Sequence, residues 1–440
     1  MNFSPVKNIP EDWNIVELQT TGEVIYGIQA SVANNTEPIG TKIITNKNIS
    51  LDGKLIFEKQ SYFEIKTASH RKTLLIKGDI LFNWRSGSQE HVGKTAYFDI
   101  DGEYTHSSFI LRIRPNKSII NGKFLYYYLY WLRESKYFIK AHSYAINAKF
   151  NKSAVNSLPT LLPPLEEQQK ISVVLSIVQD AITQQEKLIT LSTELKKSLM
   201  HKLFTEGTRG EQQKMTKIGL IPESWKIVPL GDLISFGPNN GLYKHQSEYG
   251  SGTLVLRIDD FSNDGDIVDN AANRLNTDNN DKEKYGLVKN DIVLNRVNSL
   301  SHLGKTALIG ELQEPMVFES NMMRFRVNES MILPKFAFYI LNSSSIKVQI
   351  IGSAKRAVAQ ASINQGDVKN LLFPLPDLCV QSELVSITTQ LSQKIAIYQD
   401  RVKIFKNLFL TLLQQLMTAQ IRADDLNLSA LNLEMQGRDE

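Results

Sequence analysis

The hexapeptide His-x-Gly-Lys-Thr-Ala occurs twice, at His91–Ala96 and His302–Ala307. Gly-Lys-Thr ends a phosphate loop, in which backbone amides wrap a nucleotide's phosphates and the lysine neutralises them. Such a loop needs a glycine five positions before the Gly-Lys-Thr, and those positions are Ser88 and Ser299. Nucleotide binding is therefore not expected. No Asn-Pro-Pro-aromatic or Asp-Pro-Pro-Tyr element is present to hold a flipped adenine beside a methyl donor. No Gly-x-Gly-x-x-Gly stretch opens a dinucleotide or S-adenosylmethionine fold, and no His-Glu-x-x-His occurs. The seven histidines are scattered, so His91 and His302 read as polar surface residues. Asp264-Gly265-Asp266 reads as a solvated turn. The chain is expected to hold no catalytic residue, metal site or cofactor of its own.

Recognition chemistry is better represented. Asn83-Trp84-Arg85-Ser86-Gly87-Ser88 and Asn295-Arg296-Val297-Asn298-Ser299 each follow an apolar strand. Arginine pairs in two places with guanine O6 and N7, and asparagine does so with adenine N6 and N7. Arg85 and Arg296 are each expected to meet a guanine, although the same residue types also build ordinary hydrogen-bonded turns. Thr45-Asn46-Lys47-Asn48 and Arg257-Ile258-Asp259-Asp260 occupy matched positions with different chemistry, as two copies reading different sequences need. Ser353–Gln360, with Lys355 and Arg356, suits a phosphate contact. The candidate set is thus Thr45, Lys47, Asn48, Asn83, Arg85, Ser86, Ser88 and Lys94 in the first copy. In the second it is Arg257, Asp259, Asn295, Arg296, Asn298, Ser299, Lys305, Lys355 and Arg356.

These residues recur because the chain is written twice. Ile9-Pro10-Glu11 and Trp13 reappear as Ile221-Pro222-Glu223 and Trp225, a shift of 212 residues. The shift persists through Asp52-Gly53 and Asp264-Gly265, through Lys77, Asp79, Asn83 and Lys289, Asp291, Asn295, and through Arg112, Arg114 and Arg324, Arg326. Two copies of one domain imply two copies of one site about a pseudo-twofold axis. Double-stranded DNA is the leading target with two similar halves. The net charge of +4 is divided unevenly: residues 1–165 carry 20 Lys and Arg against 14 Asp and Glu, and residues 215–377 carry 17 against 18. A protein that grips DNA by phosphate neutralisation alone is more basic than this. Either the cations are focused on one face or a partner supplies part of the grip.

The lone cysteine, Cys379, rules out an intrachain disulfide and suits a reducing cytosol. Met1-Asn2-Phe3-Ser4-Pro5 lacks a basic-then-apolar leader, and the most apolar stretch, Phe124–Leu132, is far short of the ~20 residues that span a bilayer. A cytoplasmic protein with no membrane partner is expected.

Two long helices interrupt the globular pattern. The first follows Leu162-Pro163-Pro164 and stops at Glu206-Gly207; the second follows Phe373-Pro374-Leu375-Pro376. In the second, Leu391, Ile395, Tyr398, Val402, Phe405, Phe409, Leu412 and Leu416 alternate steps of four and three, the seam of a coiled coil. The first carries a softer seam: Val174, Val178, Ala181, Gln185, Leu188, Ser192, Leu195 and Leu199. Since the first helix leaves the first domain and the second returns from the second, the pair must run antiparallel. Phe109–Arg114 and Met322–Val327 alternate apolar and basic residues, as a half-exposed strand does. The aromatic run Lys123–Tyr137 and its counterpart Lys335–Leu341 suit a helix under a sheet. The expected fold is α/β (α+β): a domain at 1–165, a spacer helix at 166–207, a hinge and second domain at 208–377, a second helix at 378–420, and a dispensable or disordered tail at 421–440.

Leu162-Pro163-Pro164-Leu165-Glu166-Glu167-Gln168-Gln169-Lys170-Ile171, opening a long helix, resembles the specificity subunit of type I restriction-modification systems. The Ile-Pro-x-x-Trp starts, the Lys-x-Asp-Ile strands and the Gly-Lys-x-Ala segments look similar too, over nearly the whole chain. The second helix start departs from that pattern, as Pro376-Asp377-Leu378-Cys379-Val380-Gln381. The resemblance implies two target-recognition domains, each reading half of a bipartite, asymmetric site, with the helices as spacer. It also implies two modification subunits that use S-adenosylmethionine to methylate adenine N6, and restriction subunits that use ATP and Mg. Two rival readings remain at this point: a chain that is itself a nuclease or methyltransferase, and a two-headed protein-binding scaffold.

Overall fold

The computed structural model describes residues 9–30, 35–140, 150–262, 265, 267, 273–356 and 360–426. Met1–Pro5, Asp264, Asp266, positions 357–359 of the Ser353–Gln360 loop and the tail beyond 426 lie outside the described residues. The chain divides into two units, Met1–Glu186 with Gln399–Glu440, and Lys187–Tyr398. The division cuts through both long helices, so each unit owns one half of each.

In the first unit the strands are β1 (Asn14–Glu17), β2 (Gly22–Tyr26), β3 (Thr41–Ile44), β4 (Ser61–Phe63), β5 (Ile80–Asn83), β6 (Thr95–Tyr97), β7 (Tyr104–His106), β8 (Ile110–Pro115) and β9 (Pro159–Leu162). They form an antiparallel sheet β2-β8-β5-β6, a second sheet β4-β3-β7 in which β3 and β7 run parallel, and the pair β1-β9. Helix Gly122–Glu134 packs its aromatic run beneath the first sheet. Nine consecutive residues, Phe124–Leu132, are buried there because one side meets the sheet and the other the long helices. Trp131 Nε1 donates to Gln414 Oε1 at 2.7 Å, and the Tyr127 and Tyr130 rings each lie 5.9 Å from Phe409.

The second unit repeats the plan. Its strands are β10 (Gln213–Thr216), β11 (Gly219–Pro222), β12 (Lys226–Pro229), β13 (Ile234–Asn240), β14 (Tyr249–Leu256), β15 (Arg274–Leu275), β16 (Ile292–Asn295), β17 (Val297–Asn298), β18 (Thr306–Leu308), β19 (Met316–Phe318), β20 (Met322–Val327), β21 (Lys355–Arg356), β22 (Ala361–Ser362) and β23 (Leu372–Leu375). Sheet β13-β20-β16-β18 corresponds to β2-β8-β5-β6, β15-β14-β19 to β4-β3-β7, and β12-β23 to β1-β9. Two bulges in β13 raise the repeat shift from 212 to 214 at its end: Ile28 bridges Ser107, and Leu242 bridges Glu319.

The long helices span Leu165–Glu206 and Leu378–Met417. In the first unit Glu186 meets Lys406 at 3.0 Å and Lys170 meets Asp424 at 2.7 Å, so the two segments run antiparallel. The eight expected seam residues of the second helix are buried or half-buried, whereas Ile397, Ile404 and Leu408 are exposed. The seam of the first helix needs correction. Leu188 and Leu195 are 37% and 56% exposed, and the inward positions are Ile182, Gln185, Ile189, Ser192, Lys196 and Leu199. Polar and cationic side chains occupy inward turns, so an apolar pattern could not locate them.

Both helix starts use the same device. Gln168 Oε1 accepts from Asn121 N at 2.8 Å while its Nε2 donates to Pro163 O at 2.8 Å. Gln381 accepts from Leu333 N at 2.8 Å and donates to Pro376 O at 3.0 Å. The departure in the second copy therefore spares the glutamine and replaces Glu167 by Val380. Glu167, 3% exposed, accepts from Trp13 Nε1 at 2.9 Å and from Arg422 Nε at 2.7 Å, and Arg422 also grips Asp12. With Ala423 fully buried beside this clamp, the start of the expected dispensable tail is part of the first unit. Arg422→Ala is expected to cost about 1.5–3 kcal/mol, since it strips charge-assisted hydrogen bonds from a buried carboxylate. Equilibrium denaturation checks it.

Candidate functional site

Strand register brings four segments to one edge of each unit. In the first, Tyr26 at the end of β2 lies opposite Leu111, and Asn83 at the end of β5 opposite Ile110, both at the start of β8. Parallel β3 and β7 end together, Ile44 opposite His106. Segments 27–30, 45–48, 84–88 and 107–109 therefore leave from the same edge. In the second unit Asn240 and Asn295 lie opposite Met323 and Met322, and Leu256 opposite Phe318, so 241–245, 257–260, 296–299 and 319–321 converge likewise. There β22 pairs with both β17 and β21, aligning Asn298, Ala361 and Arg356 in one register. This places the exposed Lys355 and Arg356 in the same small sheet as the 296–299 segment, with β22 between them.

Many sequence candidates form the frame of this edge. Lys94 is 4% exposed, and its Nζ donates to Asn46 O at 2.8 Å and Ile49 O at 2.5 Å. Lys305 Nζ donates to Phe261 O at 2.7 Å and sits 4.4 Å from the Phe261 ring. Burial pushes the pKa of both lysines down. A lysine held beneath the surface by backbone carbonyls has no ammonium to offer a phosphate, so both leave the contact set. The repeated Gly-Lys-Thr is an internal brace for the 45–49 and 257–261 turns.

Asn48 is also spent internally: its Oδ1 accepts from Thr45 N and its Nδ2 donates to Ile56 O, at 2.9 and 2.8 Å. Asp260 holds the matching turn through Arg257 N. Asn83 and Asn295 are fully buried at the strand ends, and Asn83 Nδ2 donates to His91 O at 2.9 Å. They frame the edge instead of facing outward.

Arg296 is corrected as well. It does the inward work of its match, Trp84: Trp84 Nε1 donates to Ser108 O at 2.7 Å, and Arg296 Nη1 donates to Ser320 O at 3.2 Å, the same carbonyl 212 residues on. The backbone repeats the match, with Phe150 N on Trp84 O and Ile363 N on Arg296 O. Arg85, one residue later, pairs with Val297.

What remains outward differs between the copies. The first unit presents Gln29, Thr45, Lys47, Arg85, Ser86, Ser88 and Phe109. The second presents Tyr243, Arg257, Asp259, Asn298, Ser299, Asn321, Lys355 and Arg356. Arg257 lies 3.6 Å from Glu319 and 6.0 Å from the Tyr249 ring. Gln29, Phe109, Tyr243 and Asn321 were missed by sequence reasoning. The shift of 214 hides the match of Gln29 with Tyr243, and Phe109 reads as the first residue of a strand. Tyr243, 79% exposed, is the kind of outward aromatic that a bland loop does not need.

The arginines of β8 and β20 were expected on a half-exposed strand, but Arg112 and Arg324 are each only 2% exposed. Asp79, fully buried, takes Arg114 through Nε and Nη2 at 2.7 Å each and accepts from Ile76 N at 2.8 Å. Asp291 does the same for Arg326 Nε at 2.5 Å and Val288 N at 2.8 Å. The repeated Lys-x-Asp thus supplies a buried carboxylate that closes a turn and anchors the strand leading from the edge. His106, at the end of β7, is fully buried, and burial pushes its pKa down to about 3, so it stays neutral.

A duplicated recognition protein is what this fold and these two edges define: one frame, two outward faces of different chemistry. The chain belongs to the family carrying the type I restriction modification DNA specificity domain, which matches residues 10–192 and again 222–404. It is 24% identical over 432 residues to the type I restriction enzyme MjaVIII specificity subunit of Methanocaldococcus jannaschii, covering 95% of each chain. It is 25% identical over 391 residues to the StySPI specificity subunit of Salmonella potsdam, covering 87% of this chain and 82% of that one. Among solved structures, the type I restriction-modification S subunit from M. genitalium matches with a TM-score of 0.56 at 14% identity, over 94% of this chain and 97% of that one. A chain solved in work on complex assembly and conformational transition of a type I R-M system matches at 0.55 and 15% identity, over 94% and 100%. The last two bear on the fold alone. Among the described residues, no helix is long and apolar enough to cross a membrane.

Proposed function

We propose that each strand-end edge reads one half of a bipartite, asymmetric DNA site, and that this non-catalytic chain delivers the site to partner subunits in the cytoplasm. Two modification subunits supply S-adenosylmethionine and adenine-N6 methylation, and restriction subunits supply ATP- and Mg-dependent cleavage. The observation that carries the reading is the contrast between frame and face. Lys94 and Lys305, Asp79 and Asp291, and Gln168 and Gln381 do the same work in both copies, while the outward pairs Gln29/Tyr243, Thr45/Arg257, Lys47/Asp259 and Arg85/Val297 differ. Equal frames carrying unequal faces suit unequal half-sites. With half-site centres one turn apart, about 34 Å or 10 base pairs, an unread gap of about 5–8 base pairs lies between them.

Arg85→Ala is expected to relax the first half-site and Arg257→Ala the second, each leaving the other half's preference intact. A bidentate arginine–guanine contact contributes about 1–3 kcal/mol of discrimination, so methylation of the parental site should fall well over threefold. Methylation-site sequencing of cells expressing each variant with the modification subunit reads this directly. Parental sites methylated at the parental rate in both variants would show that these edges are not the readers.

A further inference from the structure

Arg85 and Phe109 form a pair on the first edge that the second edge lacks. The guanidinium carbon of Arg85 lies 5.6 Å from the centre of the Phe109 ring. Arg85 is exposed, Phe109 is 41% exposed, and this ring is the partner found for Arg85 among the described residues. Both segments are held just before the pair: Trp84 Nε1 donates to Ser108 O at 2.7 Å, tying the residue before Arg85 to the residue before Phe109. Trp84 in turn packs edge-on against Tyr26, with ring centroids 5.4 Å apart. An aromatic ring against one face of a guanidinium fixes its plane and leaves its N–H edge free. Beside that edge stands the exposed part of the Phe109 ring, an apolar surface. In the major groove the apolar feature within reach of an arginine on guanine O6 and N7 is the 5-methyl group of a neighbouring thymine.

We propose that Arg85 and Phe109 act as one composite reader of a guanine with an adjacent thymine in the first half-site. The guanidinium takes guanine O6 and N7, and the Phe109 ring covers the thymine 5-methyl. This rests on the reading that the strand-end edge contacts DNA. The matched positions in the second unit are Val297 and Asn321, so this chemistry is confined to one half of the target.

The test uses the full chain assembled with its modification subunits and duplexes bearing its methylated site. Deoxyuridine replaces each thymine of the first half-site in turn, deleting only the methyl group. Loss of one buried methyl is expected to slow methylation about fourfold at the thymine beside the guanine. Phe109→Ala should lose that sensitivity at the same position, and Phe109→Leu should keep part of it. Deoxyuridine in the second half-site should affect wild type and Phe109→Ala equally. A first half-site without a guanine flanked by thymine overturns the proposal. So does a wild-type complex indifferent to deoxyuridine throughout that half-site, or a Phe109→Ala complex with an undiminished penalty. In each of those cases methylation still depends on Arg85, whereas failure of the edge itself leaves Arg85→Ala with the parental site and rate.

Discussion

Inserting two residues into the first long helix, beside Ser192-Thr193-Glu194-Leu195, is expected to abolish methylation and restriction by the assembled complex. Each residue turns an α-helix by about 100°, so everything after the insertion rotates by about 200°. Inward positions before it, Ile182, Gln185 and Ile189, keep their face, while Lys196 and Leu199 swing to the opposite side. The second long helix is unbroken from Leu378 to Met417 and cannot follow that rotation. Four inserted residues give a different outcome: about 400° of turn, nearly a whole number of turns, and about 6 Å of added axis. Activity should survive, with both half-site sequences unchanged and the unread gap one or two base pairs longer. Sequencing of methylated sites from both variants separates the cases. An active four-residue variant with unchanged spacing would show that the helices do not set the gap.

Asp291→Ala is expected to be the most damaging point change, costing about 3–5 kcal/mol, because it leaves buried positive charge without its carboxylate. Asp79→Ala should also be severe, but less so. In the first unit a second carboxylate, Glu23, remains: it is ion-paired with Arg112 and sits across the strand pair from Arg114, whose charge it also favours. In the second unit Asp291 serves both Arg324, at 3.7 Å, and Arg326, at 2.5 Å, and Phe236 stands where Glu23 stands in the first copy. The Phe236 ring lies 4.8 and 4.9 Å from the two guanidinium carbons, a weaker neutralisation than a carboxylate. Denaturant unfolding followed by Trp225 fluorescence should lose the second unit's transition first. Equal losses from the two aspartates would mean that Glu23 contributes nothing to the difference.

The repeat, the two helices and the family were legible before any coordinates, because each is a matter of order along the chain. A 212-residue shift survives any fold, a four-three apolar spacing defines a helical stripe, and a doubled proline stops a helix. The candidate site was legible only in outline. The 45–48, 84–88, 257–260 and 296–299 segments do reach the two edges, yet Lys94, Lys305, Asn48 and Arg296 carry the right side chains for DNA and are employed inward. Residue type states what a group can bond and leaves open whether the chain has already bonded it.

The sequence by itself therefore determined the duplication, the antiparallel direction of the helices and the absence of nucleotide-binding and methyl-transfer motifs. Each follows from residue order and from residue types that must be present for a given chemistry. The tertiary structure decided which side of each strand end is frame and which is face. Two bulges in β13 move Tyr243 into the place of Gln29, and hydrogen bonds to equivalent carbonyls turn Trp84 and Arg296 inward. Those assignments depend on register and burial. Both are set by distant strands and core packing, through contacts that no local stretch of residues contains.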